Sequence, residues 1–263
     1  MPSSPSPHAR SAVVARLRAA GCVFAEDEAA LLVSAARSPA ELAELVTRRA
    51  GGLPLEQVLG WAEFCGLRIA VEPGVFVPRR RTELLVREAT RLAGPGAVVV
   101  DLCCGSGAVG AALAARLGPV ELHAADIDPA AVRCARRNVA AAAGRVYRGD
   151  LDEPLPAMLR GRVDVLAANA PYVPTGAIPT MPPEARTHEP RVALDGGPDG
   201  LDVQRRLIAC APRWLAPGGH LLVETSRRQA AGTAALVARR GLVPVVVTSD
   251  ELDATVVIGA HPS

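Results

Sequence analysis

The chain has 263 residues, 49% of them hydrophobic, enough to build one large or two smaller domains around a real core. Its formal charge of +2 creates no whole-molecule field that would gather nucleic acid, although all 29 basic residues are arginine. No apolar run approaches the roughly 18 residues of a membrane span, and Met1–Arg18 lacks the apolar stretch of a secretory signal, so a soluble cytoplasmic protein is expected.

In chain order, Met1–Pro7 is rich in Ser and Pro and is expected to be disordered. Residues Ala9–Ala50 read as helical: Val13, Val14, Leu17, Leu31, Leu32 and Ala35 recur at spacings of three and four, and Ser38-Pro39-Ala40-Glu41 is a helix start. Ala62–Val71 is strand-like, Glu72-Pro73-Gly74 signals a turn, and Val75-Phe76-Val77 follows, which predicts a hairpin. After Thr82 strands and helices alternate. Strands are predicted at Val98–Val100, Val120–Ala125, Val163–Ala168 and His220–Val223, with helices at Gly107–Leu117, Pro129–Ala142 and Leu201–Leu215. Leu242–Thr248 and Ala254–Ile258 close the chain as an antiparallel hairpin at the sheet edge. The organisation expected is a helical domain over residues 1–60, a hairpin linker over 61–80 and an α/β domain with a mainly parallel sheet over 81–263. The six cysteines, Cys22, Cys65, Cys103, Cys104, Cys134 and Cys210, include no C-x-x-C pair and read as reduced thiols, with no metal site.

The loop after the first α/β strand reads Asp101-Leu-Cys103-Cys104-Gly105-Ser-Gly107-Ala-Val-Gly110. Its glycines match a dinucleotide fingerprint, with Asp126 at the spacing of a ribose-binding acid. Two features favour a sulfonium nucleoside over NAD. Asp101, at the strand end, would repel a pyrophosphate but suits the ammonium of a methionine moiety. A further acid, Asp150, follows the next strand and can accept from an adenine amino group while Asp126 takes the ribose hydroxyls. Asp128 before Pro129 reads instead as a helix cap.

Past the strand Val163–Ala168 comes Asn169-Ala170-Pro171-Tyr172. An amide or exocyclic amino nitrogen is a poor nucleophile, because its lone pair is delocalised. Two acceptors that hold both N–H bonds, the Asn169 side-chain oxygen and the Ala170 carbonyl, would aim that nitrogen and favour the charge that builds on it. Pro171 restricts Ala170 to extended geometry, and Tyr172 would pack on the planar group. The long Pro/Gly-rich stretch from Val173 to Gly200 is expected to form a lid over the substrate channel, its return fixed by ion pairing of Glu189 and Arg191.

These segments resemble the HemK-like protein N5-glutamine methyltransferases, also called release factor glutamine methyltransferases. The likeness runs from about Thr47 to the C-terminus. It includes Pro54-Leu55, Leu59-Gly60, Glu63-Phe64-x-Gly66-Leu67, Val77-Pro78-Arg79-x-x-Thr82-Glu83 and Glu189-Pro190-Arg191-x-Ala193-Leu194-x-Gly196-Gly197-x-Asp199-Gly200-Leu201. The resemblance implies a seven-stranded Rossmann-like class I methyltransferase sheet behind a small helical substrate-recognition domain. It implies S-adenosyl-L-methionine as methyl donor, held by Asp101, the Cys103–Gly107 loop with Gly105, Asp126, Asp150, Leu151 and Asn169. The implied partner is a peptide chain release factor, methylated on a glutamine side chain. Ala170 departs from the family's usual Asn-Pro-Pro-Tyr, and Cys103-Cys104 from its usual Gly-Thr. The alternatives carried forward are an amino-methyltransferase acting on adenine in nucleic acid or on a small-molecule amide, an NAD-dependent oxidoreductase, and a non-catalytic nucleotide-binding module. Aromatics are only 3% of the chain, which disfavours a groove for flipped bases; the run Arg79-Arg80-Arg81 favours one.

Overall fold

The computed structural model describes residues 7–263, with side chains from Arg10 onward. The expectation for Met1–Pro7 lies outside those residues except at Pro7, which opens the first helix.

The helical pattern resolves into α1 (Pro7–Ala19), α2 (Ala25–Ala35) and α3 (Pro39–Ala50), followed by the short α4 (Leu55–Leu59). Helix α3 starts where its sequence predicts: the Ser38 hydroxyl accepts the Glu41 N–H at 3.1 Å, and Pro39 sits in the first turn. These helices share a small core of Leu17, Ala25, Ala29, Leu32, Val46 and Val58. Buried beside it, Arg49 of α3 pairs with Glu28 of α2 at 2.6 Å and reaches Glu184 at 3.1 Å, so its charge is not left unpaired.

The hairpin differs from its prediction. It consists of β1 (Trp61–Phe64) and β2 (Leu67–Ala70), paired antiparallel, and it turns at Cys65-Gly66 rather than at Glu72-Pro73-Gly74. Both turn residues have positive φ, 53° and 79°, as a two-residue hairpin loop requires; a cysteine where Asn or Asp is usual hides the signal. Val75–Val77 then runs as irregular chain with both valines buried. Asn138 pins this hairpin to the rest: its Oδ1 accepts the Ala70 N–H at 2.9 Å, and its Nδ2 donates to the Ala70 and Ser106 carbonyls at 2.9 and 2.8 Å.

The α/β part adds α5 (Glu83–Leu92), β3 (Val98–Leu102), α6 (Ala108–Leu117), β4 (Glu121–Asp126), α7 (Pro129–Asn138), β5 (Arg145–Arg148), β6 (Val163–Ala168), α8 (Pro183–His188), α9 (Asp202–Trp214), β7 (Leu215–Thr225), α10 (Ala230–Ala238), β8 (Val243–Ser249) and β9 (Ala254–Ala260). The seven-stranded sheet runs β5-β4-β3-β6-β7-β9-β8, with β3 to β7 parallel and β9 antiparallel to both neighbours. Both faces are covered. Val98, Val100 and Leu102 enter one core with Leu166, Leu221 and Val223, while Val99 enters the other with Val165, Leu222 and Val256. That two-sided burial is why β3 and β6 read as apolar runs broken by one acid each, Asp101 and Asp164.

This order places the site. The chain winds from β3 outward to β5, then returns to lay β6 on the opposite side of β3. Leu102 and Ala168 are register partners, so the loop beginning at Cys103 and the turn beginning at Asn169 leave the sheet side by side at its switch point. The neighbouring strand β4 ends at Asp126 and pairs with β5, after which Asp150 follows.

The segment from Val173 to Gly200 is built rather than formless. It holds a 3₁₀ stretch at Thr175–Thr180, helix α8 and a second 3₁₀ turn at Arg191–Ala193. Its base is stitched by Val173 N–H to Leu194 O at 3.0 Å and Gly196 N–H to Val173 O at 2.9 Å. The expected ion pairing of Glu189 with Arg191 does not occur. Glu189 pairs with Arg79, and Arg191 with Asp195 at 3.0 Å, because the 3₁₀ turn carries Arg191 away to its own i+4 neighbour.

Candidate functional site

Two cavities meet at the carboxyl edge of the sheet. The first, with about 1100 Å³ of empty space including its mouth, is walled by the β3–α6 loop, the ends of β4 and β5, and Phe64 of the hairpin. The second, of about 1120 Å³, lies between the Asn169–Val173 turn, Arg79, Arg81 and helix α8. Both are lined by Asn169 and Pro171, so the corner after β6 is their common wall.

Four acids line the first cavity, Asp101, Asp126, Asp128 and Asp150. Asp101 is buried and accepts the Gly110 N–H at 2.9 Å; burial lifts its pKa to about 7, against that hydrogen bond and aided by Asp126. Asp126 accepts the Gly105 N–H at 2.8 Å and the Asp128 N–H at 2.9 Å, one on each oxygen, and burial raises its pKa too. Asp150 is paired with Arg206 of α9 at 2.6 Å. Arg206 was not anticipated, since nothing in a helix centre marks it, yet it lines the same cavity. Leu151 (buried, φ 48°) and the exposed Ile127 add apolar wall beside the acids. Leu151 was named by the resemblance, whereas Ile127 was missed; an apolar residue directly after the strand-end acid Asp126 was the available signal for it. The thiols of Cys103 and Cys104 are pushed up by burial first and by the acids next, so both stay protonated packing groups.

The glycines of the loop divide the work. A side chain at Gly105 would meet nothing within 4 Å, so this position leaves cavity space open. Gly107 does not line the cavity: with φ 76° and a Cβ position 3.0 Å from Ala135, it lets the loop pack on α7. Gly110 admits the Asp101 carboxylate to its backbone, with 3.3 Å from its Cβ position to Asp101 Oδ2. Asp128 caps α7 through the Ala130 N–H at 2.9 Å, as its sequence context predicts.

At the shared corner, the Asn169 amide donates from Nδ2 to the Thr82 hydroxyl oxygen at 3.2 Å. Among the described residues nothing donates to Asn169 Oδ1 or to the Ala170 carbonyl. Tyr172 is held at both ends: its hydroxyl donates to Glu224 Oε1 at 3.2 Å, and its carbonyl accepts from Gln229 Nε2 at 2.9 Å. Burial, then the Glu224 charge, pushes the Tyr172 phenol well up. Gly200 makes the second contact possible, because a Cβ there would stand 2.3 Å from both Gln229 Nε2 and the Tyr172 carbonyl oxygen. Thr82, Glu224 and Gln229 were all missed in the sequence; each meets the corner from an element more than 50 residues away along the chain.

The donor set tests which ligand class suits the first cavity. Four carboxylates with one arginine, itself paired, suit a cationic nucleoside and oppose a pyrophosphate. The chain matches the methyltransferase small domain family over residues 66–181. It is 40% identical over 229 residues to the release factor glutamine methyltransferase of Geobacter sulfurreducens, covering 85% of this chain and 80% of that one. It is 37% identical over 203 residues to the 4-amino-L-phenylalanine/4-methylamino-L-phenylalanine methyltransferase of Streptomyces pristinaespiralis, covering 74% and 69%. A crystal structure of a Pyrococcus furiosus methyltransferase, 16% identical, superposes with a TM-score of 0.58 over 82% of this chain and all of that one, a likeness of fold. With its acid-lined cavity at the switch point and its Asn-x-Pro-Tyr corner, the chain belongs to the release factor glutamine methyltransferase family, enzymes whose methyl donor is S-adenosylmethionine.

Proposed function

We propose that the protein methylates the side-chain amide nitrogen of a glutamine in a partner protein, a peptide chain release factor, in the cytoplasm. The observation that carries this reading is Asn169, standing between two cavities with its amide nitrogen engaged and its oxygen unengaged. When bound, S-adenosylmethionine supplies an electrophilic methyl group on a sulfonium sulfur. Asp101 would pair with its ammonium, Asp126 would accept from the ribose hydroxyls, and Ile127 and Leu151 would flank the adenine. Asp150, steered by Arg206, accepts from the adenine amino group. Gly105 and the Cys103 backbone leave room for the ligand, and Gly107 serves it indirectly by setting the loop.

In the second cavity, Asn169 Oδ1 and the Ala170 carbonyl take the two N–H bonds of the acceptor amide while Tyr172 and Pro171 bound its plane. Held so, the nitrogen lies in line with the methyl group, and alignment alone is worth roughly 7–11 kcal/mol of barrier. Transfer would form the new N–C bond as the donor's S–C bond breaks, and the acceptor nitrogen would then give one proton to water. Residues 1–60 serve as the docking unit, with Val23 and Phe24 exposed on it (82% and 68%), residues 61–80 as linker and 81–263 as the transfer unit. Arg79 is tied to Glu189, which removes it from the arginine run, while Arg80 stays exposed 3.8 Å from Glu251 and Arg81 lines the second cavity.

A planar aryl amine presents the same delocalised nitrogen, and the Streptomyces relative's name favours it as a second reading. Incubation with methyl-labelled S-adenosylmethionine and a panel of release factor, 4-aminophenylalanine, tRNA and DNA separates these. Mass spectrometry should find one added methyl on a release-factor glutamine; label on the aryl amine or nucleic acid alone overturns the proposal.

The Ala170 N–H donates to no described residue, so Ala170→Pro removes nothing that is bonded. That variant should keep its fold and a methylation rate within about three-fold of the parent, equivalent to well under 1 kcal/mol. A much larger fall in the initial rate would show that this corner departs from the backbone path its proline would impose.

A further inference from the structure

A carbonyl that must receive a substrate N–H cannot be tied to the protein through its own oxygen. Its direction has to be set by bonds on the peptide units around it. The Ala170 carbonyl is such a group, accepting from no described residue. The peptide unit between Tyr172 and Val173 is held on both sides instead. Its carbonyl accepts from Gln229 Nε2 at 2.9 Å, and its N–H donates to Leu194 O at 3.0 Å. Between that unit and the Ala170 carbonyl lie only Pro171, whose ring fixes its φ, and Tyr172, whose hydroxyl donates to Glu224 Oε1 at 3.2 Å.

Gln229 stands just before helix α10 and does more than meet the corner. Its Nε2 also donates to the Asp199 carbonyl at 3.0 Å, and its Oε1 accepts from the Ser226 hydroxyl at 2.5 Å. Both N–H bonds and the oxygen of this amide are therefore matched. Two backbone carbonyls can only accept, so a single orientation of the amide satisfies them. The Val173–Gly200 segment leaves the corner at Tyr172, lines the second cavity with Met181, Glu184 and Leu194, and comes back at Asp199. Gln229 thus touches both ends of it. Gly200, at φ 76°, leaves the space in which the two backbones and the amide meet.

We propose that Gln229 is a positioning residue: its amide clasps the outgoing end of this segment, at Tyr172, to the returning end, at Asp199, and so keeps the Ala170 carbonyl aimed at the methyl acceptor. Without the clasp the Tyr172–Val173 peptide unit loses one of its two bonds, and the turn that aims the Ala170 oxygen loosens with it. The cofactor cavity is untouched, because Gln229 does not line it. The inference rests on the gripping role given above to the Ala170 carbonyl.

The test compares three side chains of similar length at position 229 in the full chain. Gln229→Met keeps the bulk and removes both donors, Gln229→Glu turns acceptors toward two carbonyls, and Gln229→Lys restores donation. With a release-factor substrate, kcat should fall about ten-fold in Gln229→Met and further in Gln229→Glu. Gln229→Lys should recover most of that loss, and the S-adenosylmethionine Kd should stay within about two-fold throughout. Amide hydrogen exchange without substrate should quicken about ten-fold over the segments flanking Tyr172 and Asp199 in Gln229→Met, and stay unchanged over the cofactor loop from Asp101 to Gly110. Gly200→Ala intrudes on the same contact from the other side and should reproduce both effects; it decides the matter if Gln229→Met does not fold. Parental kcat in Gln229→Met, no recovery in Gln229→Lys, or a matching loss of cofactor affinity overturns the inference. If the parent protein methylates no release factor, the functional reading fails, while the exchange rates still decide the clasp.

Discussion

Asn169→Ala is expected to slow methyl transfer by about 100- to 1000-fold while leaving the S-adenosylmethionine Kd within about five-fold. The side chain gives the acceptor nitrogen one of its two hydrogen-bond acceptors, and that contact strengthens only as the nitrogen gains positive charge. An interaction realised in the transition state alone lowers kcat when it is lost, not the affinity of the ground state. The cofactor cavity keeps its four acids and its glycine loop in this variant, Asn169 being one of many residues that line it. Initial rates against a release-factor substrate, with calorimetry for the cofactor, check both halves. Turnover near that of the parent would contradict the role given to this residue, and cofactor binding lost along with turnover would relocate that role to the first cavity.

Asp101→Asn should do two opposite things. Ionised Asp101 meets the cofactor ammonium, so its loss should weaken binding by about 10- to 100-fold, the worth of a charge-assisted hydrogen bond. In the empty protein the same carboxyl is a liability. Its folded pKa of about 7 stands above the unfolded value of 3.8, so the folded state holds this proton more tightly. Stability from this group is present at low pH and declines as pH rises between those two values. The full difference corresponds to roughly 4 kcal/mol, and an asparagine, which keeps an oxygen for the Gly110 N–H, does not suffer it. The empty variant should therefore melt several degrees higher than the parent at pH 8, with the gap closing toward pH 4. Binding in the parent should release a proton near pH 6 to 7, because the cationic ligand draws Asp101 into its charged form. A lower melting point at pH 8, or unaltered affinity, would remove Asp101 from this role.

Much of the site could be read in the chain because each of its parts follows the carboxyl end of a strand. Val98–Leu102 and Val163–Ala168 are apolar apart from Asp101 and Asp164, so Cys103 and Asn169 could be placed at strand ends before any pairing was known. The register of Leu102 against Ala168 then brings them together, as the α/β alternation implies. What stayed hidden depends on partners distant in sequence. β5, Arg145-Val-Tyr-Arg, is too short and polar to stand out, yet it carries the chain to Asp150. Thr82 stands out in sequence only as the point after which strands and helices alternate, and only the folded chain brings its hydroxyl to 3.2 Å from Asn169 Nδ2. The hairpin turn escaped because Cys65 adopts a conformation usually left to Asn or Gly. Glu189 found Arg79 instead of Arg191 because local helical geometry satisfied Arg191 first with Asp195. Of the loop glycines, spacing suggested a shared ligand-facing purpose, whereas Gly107 and Gly110 answer to packing on Ala135 and to the Asp101 carboxylate.

The account stands on the grip of a flat amide by the corner after β6, and a crystal structure with S-adenosylhomocysteine and a glutamine-bearing release-factor peptide tests it most directly. The glutamine nitrogen should lie within about 3.2 Å of both Asn169 Oδ1 and the Ala170 carbonyl oxygen, facing the sulfur. A peptide seated elsewhere, or Asn169 Nδ2 turned to the glutamine, would contradict it.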